Sequence, residues 1–254
     1  MNYWKQKEEK SKLAVTHTEN MATKYKKEIS DSIKNSCVYS DGFFYKKQAK
    51  IIPCINITMN DVCKEISIQA TSSSKVAALN FASYKNPGGM FLKGSSAQEE
   101  SLCHKSFLYN VLSSQNEYYE FNSKRLNKAL YTNRALYTPN VVFEVVPDKI
   151  SVVDIITCAA PNFTAAAKYC NVDWEENETI FKDRIKFMLD VADSQRVDIL
   201  ILGAWGCGVF GQKERETAEL IKLVLSENDY SFSKIVFPNT DKNTFNVFKD
   251  VFDV

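Results

Sequence analysis

Histidine is scarce in this chain, with two in 254 residues, and its seven cysteines are odd in number and contain no C-x-x-C pair. A zinc cluster and a disulfide framework are therefore not expected. Long apolar runs are missing too. Segments such as ILILGAW are strand-sized, far short of the ~18 residues that cross a bilayer, and the opening MNYWKQKEEKSKLAV has no apolar leader core. These features predict a reducing, intracellular setting: the cytoplasm, or the nucleus if the source is eukaryotic. Net charge is also nearly absent, at +1, so no global field would draw the chain to nucleic acid or an anionic membrane. Neither partner is expected. The balance is uneven, however, because residues 1–50 hold 11 lysines against 6 acids.

What is present is the composition of an ordinary globular protein, 44% hydrophobic and 25% charged. Residues 2–35 are rich in Lys and Glu with thinly spread apolar residues, which reads as one or two solvated helices. From about residue 49 the pattern changes to short apolar runs: KIIPCINI, EISIQA, KVAALNFA, NVVFEVV, SVVDIITCAA, DILILGAW and KIVFP. Unalternating runs of this length predict strands covered on both faces. Helical stretches are predicted between them at 98–114, 176–194, 213–227 and 242–252, giving an α/β fold with a mixed, largely parallel sheet between helix layers. The division expected is an N-terminal helical extension, residues 1–48, packing on a main domain, residues 49–254. Nothing in the chain demands more than a monomer.

Glycine is rare at eight residues, and most fall in two short loops. In the first, a strand ending near Ala82 meets Pro87, Gly88 and Gly89, which can turn with positive φ and bring backbone N–H groups close to an anion. Ser95 or Ser96 would cap the following helix, placing Glu99 and Glu100 in its first turn, where the macrodipole favours carboxylates. An ordinary helix start explains these acids as well as a ligand site does. In the second loop an apolar strand runs into Gly203, Gly206, Gly208 and Gly211 and then an amphipathic helix, a geometry that holds phosphate. Gly206, Gly208 and Gly211 also spell G-x-G-x-x-G, but too few residues follow for a Rossmann domain. Phe210 can stack on a ring or plug the core. Cys207 reads as a small loop filler, since neither His17 nor His104 has a place beside it as a base.

The order and spacing of LNFASYKNPGG, SSAQEESL, YTPNVVF, IITCAAPN and LGAWGCGVFG resemble the microbial-type poly(ADP-ribose) glycohydrolases, a branch of the macrodomain superfamily. The likeness is carried by residues 75–215 and hardly by residues 1–50. It implies a three-layer α/β/α macrodomain with ADP-ribose across the sheet crest. Gly88 and Gly89 would form the first diphosphate loop, Gly206, Cys207, Gly208 and Val209 the second, and Phe210 would stack on the distal ribose. Glu99 would orient that ribose, Glu100 would be the catalytic acid, Gln98 would brace the pair, and Asn86 would organise the loop or touch the ribose. The implied activity is hydrolysis of ribose–ribose O-glycosidic bonds in poly(ADP-ribose), or action on ADP-ribosylated proteins, with release of ADP-ribose. A non-catalytic reader of terminal ADP-ribose and a mono-ADP-ribosyl hydrolase are the alternatives. A neighbouring Glu99 and partial burial would keep Glu100 protonated. One position departs from the family, whose first loop carries a third glycine where this chain has Met90. If that position needs positive φ, Met90 is strained by about 1–2 kcal/mol.

Overall fold

The computed structural model describes residues 3–70 and 73–254. Seven strands form one sheet in the order β1-β4-β5-β3-β6-β7-β2. Five of them, β2 (Cys54–Thr58), β7 (Lys234–Pro238), β6 (Ile199–Ile201), β3 (Val76–Phe81) and β5 (Lys149–Cys158), run parallel. β4 (Arg134–Val146) pairs antiparallel with β5, and β1 (Cys37–Ser40) antiparallel with β4. The carboxyl ends of β2, β3, β5, β6 and β7 therefore share one edge, the crest on which open α/β sheets bind ligands.

Successive residues of a strand face opposite sides, and here both sides are covered. Ala77, Leu79, Leu200, Ile235 and Phe237 pack against α8 (Trp174–Ser194), α9 (Glu214–Glu227) and α10 (Lys242–Phe252). Val76, Ala78, Ile199, Ile201 and Val236 face the other way, onto α1 (Tyr3–Lys24), α2 (Lys26–Asn35), α3 (Val62–Gln69), α4 (Gln98–His104) and α5 (Leu108–Leu112). The remaining helices are α6 (Asn116–Ser123) and α7 (Phe163–Cys170). Each fully buried Leu, Ile or Phe contributes about 1.5–3 kcal/mol of apolar transfer, so the two cores carry the stability. The architecture is the expected three-layer α/β/α form with a mixed, largely parallel sheet. Among the described residues no helix is long and apolar enough to cross a membrane.

Several local expectations are corrected. EISIQA is not a strand but most of α3, because Asp61 caps that helix by accepting from the Lys64 N–H at 2.9 Å, and Val62, Cys63 and Ile66 bury one helical face. The single helix expected over 98–114 is two, α4 and α5. Between them Lys105 C=O accepts from Glu144 N–H at 2.8 Å, Ser106 bridges to Phe143, and Ser106 Oγ caps α5 by accepting from Leu108 N–H. Pairing with β4 thus overrides helical continuity. The N-terminal helices are not merely solvated: Ala14, Met21, Tyr25 and Ile29 are buried in one core. β1 lies on the amino side of the boundary drawn at 48/49 yet pairs with β4 in the central sheet. Finally, the cap of α4 is Ala97 rather than Ser95 or Ser96.

Candidate active site

A cleft of about 820 Å³ opens over the crest. Its walls include Phe81 at the end of β3 and Ser83 beyond it, Gly89 and Met90, the first turn of α4, the loop Gly206–Phe210 after β6, and Pro238 and Asn239 at the end of β7. Both glycine loops therefore meet in one cavity, together with Gln98, Glu99 and Glu100.

α4 is fastened to β3 by Gln98, whose Oε1 accepts from Phe81 N–H at 2.9 Å while its Nε2 donates to Leu79 C=O at 2.7 Å. The side chain continues the strand's hydrogen bonding and sets the helix's height on the crest. Glu99 is buried, with Oε1 accepting from Asn80 Nδ2 at 3.1 Å and Oε2 from Ser83 N–H at 2.7 Å. Burial pushes its carboxyl up to about 8, the donors from Ser83, Asn80 and Gly88 pulling the other way. Glu100 is also buried; its Oε1 accepts from Met90 N–H at 2.9 Å and its Oε2 from Ala97 N–H at 3.0 Å, so it caps its own helix.

The two carboxyl groups converge on Gly89. At φ +62° a Cβ there would stand 2.7 Å from Glu100 Oε1 and 3.0 Å from Glu99 Oε2. Gly88, at φ +64°, sits behind, where a Cβ would meet the Tyr109 ring at 2.7 Å, and it does not line the cleft. Asn86 lies outside the cleft as well: its N–H and Nδ2 approach Ser83 Oγ at 3.2 and 3.4 Å and its C=O accepts from Gly89 N–H, which closes the turn. Met90 has φ −110°, so the expected strain at this position is absent. Only the two preceding glycines need the left-handed region, and the Met90 side chain is free to stand, 41% exposed, on the cleft wall.

In the second loop Gly206 (φ +80°) approaches Gln212 and Ala160 too closely for a side chain, whereas Gly208 has open space around it. Val209 is exposed on the rim. Cys207 faces Thr217 Oγ1 at 3.4 Å, and burial pushes its thiol up to about 12, which suits a filler and not a thiolate nucleophile. Phe210 is half-buried at the cleft wall and meets the Tyr131 ring edge-on at 6.2 Å. His104 is half-buried against Phe91, away from the cleft lining.

Several positioning groups carry no motif in the sequence. Tyr131 stacks on Tyr84 of the first loop at 4.1 Å and 11°, and so ties Phe210 of the second loop to the first. It is delivered by a left-handed turn in which Asn127, Lys128 and Ala129 have φ of 42°, 52° and 66°, strain of about 1–2 kcal/mol per residue. Buried Arg184 offsets it, donating to Asn133 Oδ1, Ala159 C=O and Leu130 C=O. α1 straps the segment between the first loop and α4, through Ser11 Oγ to Leu92 C=O at 2.6 Å and Lys10 Nζ to Ser96 Oγ at 2.6 Å. Asn80 was legible only as one strand residue among others, and its role appears once β3 and α4 are brought together. Among the described residues no cluster of His, Cys, Asp and Glu could hold a metal ion.

The fold recurs in solved structures. The poly(ADP-ribose) glycohydrolase of Thermomonospora curvata superposes with a TM-score of 0.83 over 96% of this chain and 100% of that one, at 23% identity. The same enzyme bound to the inhibitor ADP-HPD gives a TM-score of 0.82 over 96% and 99% of the two chains, also at 23% identity. The poly(ADP-ribose) glycohydrolase of Deinococcus radiodurans in complex with ADP-ribose gives 0.81 over 89% of this chain and 97% of that one, at 28% identity. No curated protein matches the chain. A model of the catalytic domain of microbial-type poly(ADP-ribose) glycohydrolases (PARG) matches residues 6–144, which takes in α1 and α2, elements that the sequence motifs left unexplained, as well as the Gln98-Glu99-Glu100 triplet. With more than half its length so matched, the chain belongs to the microbial-type PARG catalytic-domain family and is a glycohydrolase.

Proposed function

We propose that the chain releases ADP-ribose from the ends of poly(ADP-ribose) by hydrolysing the ribose–ribose O-glycosidic bond, with Glu100 as general acid and then base. One observation carries this reading: two buried carboxyl groups converge on a glycine that lines the same cleft as a second glycine loop. A diphosphate held between Gly89 and the loop Gly206–Phe210 sets the terminal ribose beneath Phe210. The adenosine then lies over β7 and β2, where Asn239 Oδ1 is buried without a partner among the described residues.

As the C1–O bond breaks, its electron pair goes to the leaving oxygen, which takes the proton of Glu100, and positive charge grows at C1. The substrate's own diphosphate stabilises that charge. Water then adds to C1 and returns a proton to the Glu100 carboxylate. Glu99, whose carboxyl burial holds neutral up to about pH 8, binds ribose hydroxyls as an uncharged group, so it does not supply the neighbouring charge that the sequence predicts beside Glu100. That raised pKa also favours a second reading, in which Glu99 carries the proton.

The test follows release of ADP-ribose from labelled polymer by wild type, Glu99→Gln and Glu100→Gln, with ADP-ribose affinity measured in parallel. Glu100→Gln is expected to lose about 10²–10⁴ of turnover with binding intact. No release by wild type, with ADP-ribose still bound, leaves a reader module. Retained turnover in Glu100→Gln alongside loss in Glu99→Gln transfers the acid role to Glu99.

A further inference from the structure

On the crest beyond the proposed ribose site, Phe121 of α6 is held between two arginines. The guanidinium carbons of Arg125 and Arg134 each lie 3.8 Å from its ring centroid. Two groups that near one centroid cannot share a face, so they sandwich the ring. Arg134 is further fixed by Nη1 donating to Ser40 Oγ at 2.8 Å, and its Nε is buried without a partner. Arg125 is exposed. Among the described residues, neither has a carboxylate within 4.0 Å. Each cation–π contact is favourable, yet two like charges face each other across one ring with no counterion from the protein. An external dianion would complete the arrangement.

The location narrows which dianion. Arg134 opens β4 beside the carboxyl end of β5, where Ala135 pairs with Cys158, and so stands at the crest. Arg125 C=O accepts from Tyr84 Oη at 3.2 Å, and Asn122 Nδ2 donates to Tyr84 C=O at 2.8 Å. The sandwich therefore backs directly onto the Tyr84–Tyr131 stack that touches Phe210. Lys85, exposed on the same loop, adds positive charge. The adenosine, in the orientation proposed above, lies over β7 and β2, which stand at the opposite end of the sheet. On the sandwich side the leaving sugar emerges, carrying the rest of the polymer.

We infer that Arg125 and Arg134, clasping Phe121, form a second binding site for poly(ADP-ribose), gripping a diphosphate of the chain beyond the unit being released. The inference rests on the proposed orientation of substrate in the cleft. The planar guanidinium pairs bidentately with phosphate oxygens, and the phenyl ring holds both forks rigid, so little side-chain entropy remains to be lost on binding. The site gives the enzyme grip on polymer that it does not have on a single ADP-ribose unit, and it makes that grip salt-dependent.

The deciding experiment uses Arg125→Ala, an exposed substitution that leaves the fold's hydrogen bonds in place, with Arg125→Lys and Arg134→Ala alongside. Turnover of polymer is compared with turnover of an aryl glycoside of ADP-ribose, which has no second unit. Arg125→Ala is expected to raise KM for polymer about three- to ten-fold and to lower the log–log salt slope of polymer binding by about one, with kcat and aryl-glycoside turnover unchanged. Arg125→Lys should recover part of the loss. In a Glu100→Gln background, Arg125→Ala should weaken binding of polymer and leave binding of free ADP-ribose alone, a readout that survives even if wild type proves inactive. Equal effects on polymer and aryl glycoside, or an unchanged polymer KM and salt slope, overturn the inference. Failure of wild type to cleave polymer would strike the catalytic reading instead.

Discussion

The backbone N–H of Met90 donates to Oε1 of Glu100 at 2.9 Å, so the residue that ends the first glycine turn holds the proposed acid by its main chain, not its side chain. Met90→Gly keeps this donor and, at φ −110°, relieves no strain. Turnover should stay within a few-fold of wild type, with stability lower by about 0.5–1 kcal/mol from added chain entropy. Met90→Pro removes the N–H and should lower kcat about 3- to 10-fold, the net worth of one ordinary hydrogen bond. Steady-state kinetics on both variants distinguishes the backbone from the thioether.

The glycines differ sharply in what a methyl group would do. At Gly89 a Cβ meets both carboxyl oxygens and the φ is left-handed, whereas at Gly208 nothing lies within 4 Å. Gly89→Ala should destabilise the protein by at least about 1–2 kcal/mol and abolish turnover by displacing Glu100. Gly208→Ala should stay within about 0.5 kcal/mol of wild type in stability. Urea melts and polymer assays of the pair read out the contrast.

Glu99 makes stability depend on pH in a known direction. Its folded carboxyl sits at about 8, above the usual value near 4.5, so between those limits the folded state holds a proton that the unfolded chain releases. This group's contribution is full below about pH 4.5, falls as pH rises to about 8, and is flat above. Glu99→Gln removes the titration. The Asn80 amide can turn its unpartnered Oδ1 to accept from the amide introduced by that substitution, as it can for the protonated acid. Thermal melts at a series of pH values should show the variant gaining on wild type from pH 5 to 8, at about 2–4 °C per kcal/mol. A constant difference across that range would show that Glu99 is ionised throughout.

Arg184 is fully buried and, among the described residues, forms no ion pair with a carboxylate; its charge is held by Asn133 Oδ1 and two backbone carbonyls. Arg184→Met fills much of the volume but leaves the Leu130 and Ala159 carbonyls without donors. A loss of about 2–4 kcal/mol in stability is expected. Release of the left-handed turn that carries Tyr131 should also raise KM for polymer, through Phe210.

The sequence by itself determined the class of fold, because uninterrupted apolar runs separated by helical spacing can only be buried in a sheet covered on both faces. It also placed both glycine loops at strand ends and put Glu99 and Glu100 in the first turn of a helix, since glycine scarcity makes each cluster conspicuous. EISIQA misled because six residues cannot separate a half-buried helix from a strand without the Asp61 cap. Residues 1–35 looked solvated because the four apolar side chains buried among the described ones are spread over sixteen positions, and only packing shows that Ala14, Met21, Tyr25 and Ile29 seal a core. Tertiary structure alone decided that burial raises the Glu99 carboxyl, that Gly89 meets both acids, and that Asn80, Tyr131 and Arg184 stand behind the cleft. Those properties depend on distances between residues far apart in the chain, and no local spacing encodes them.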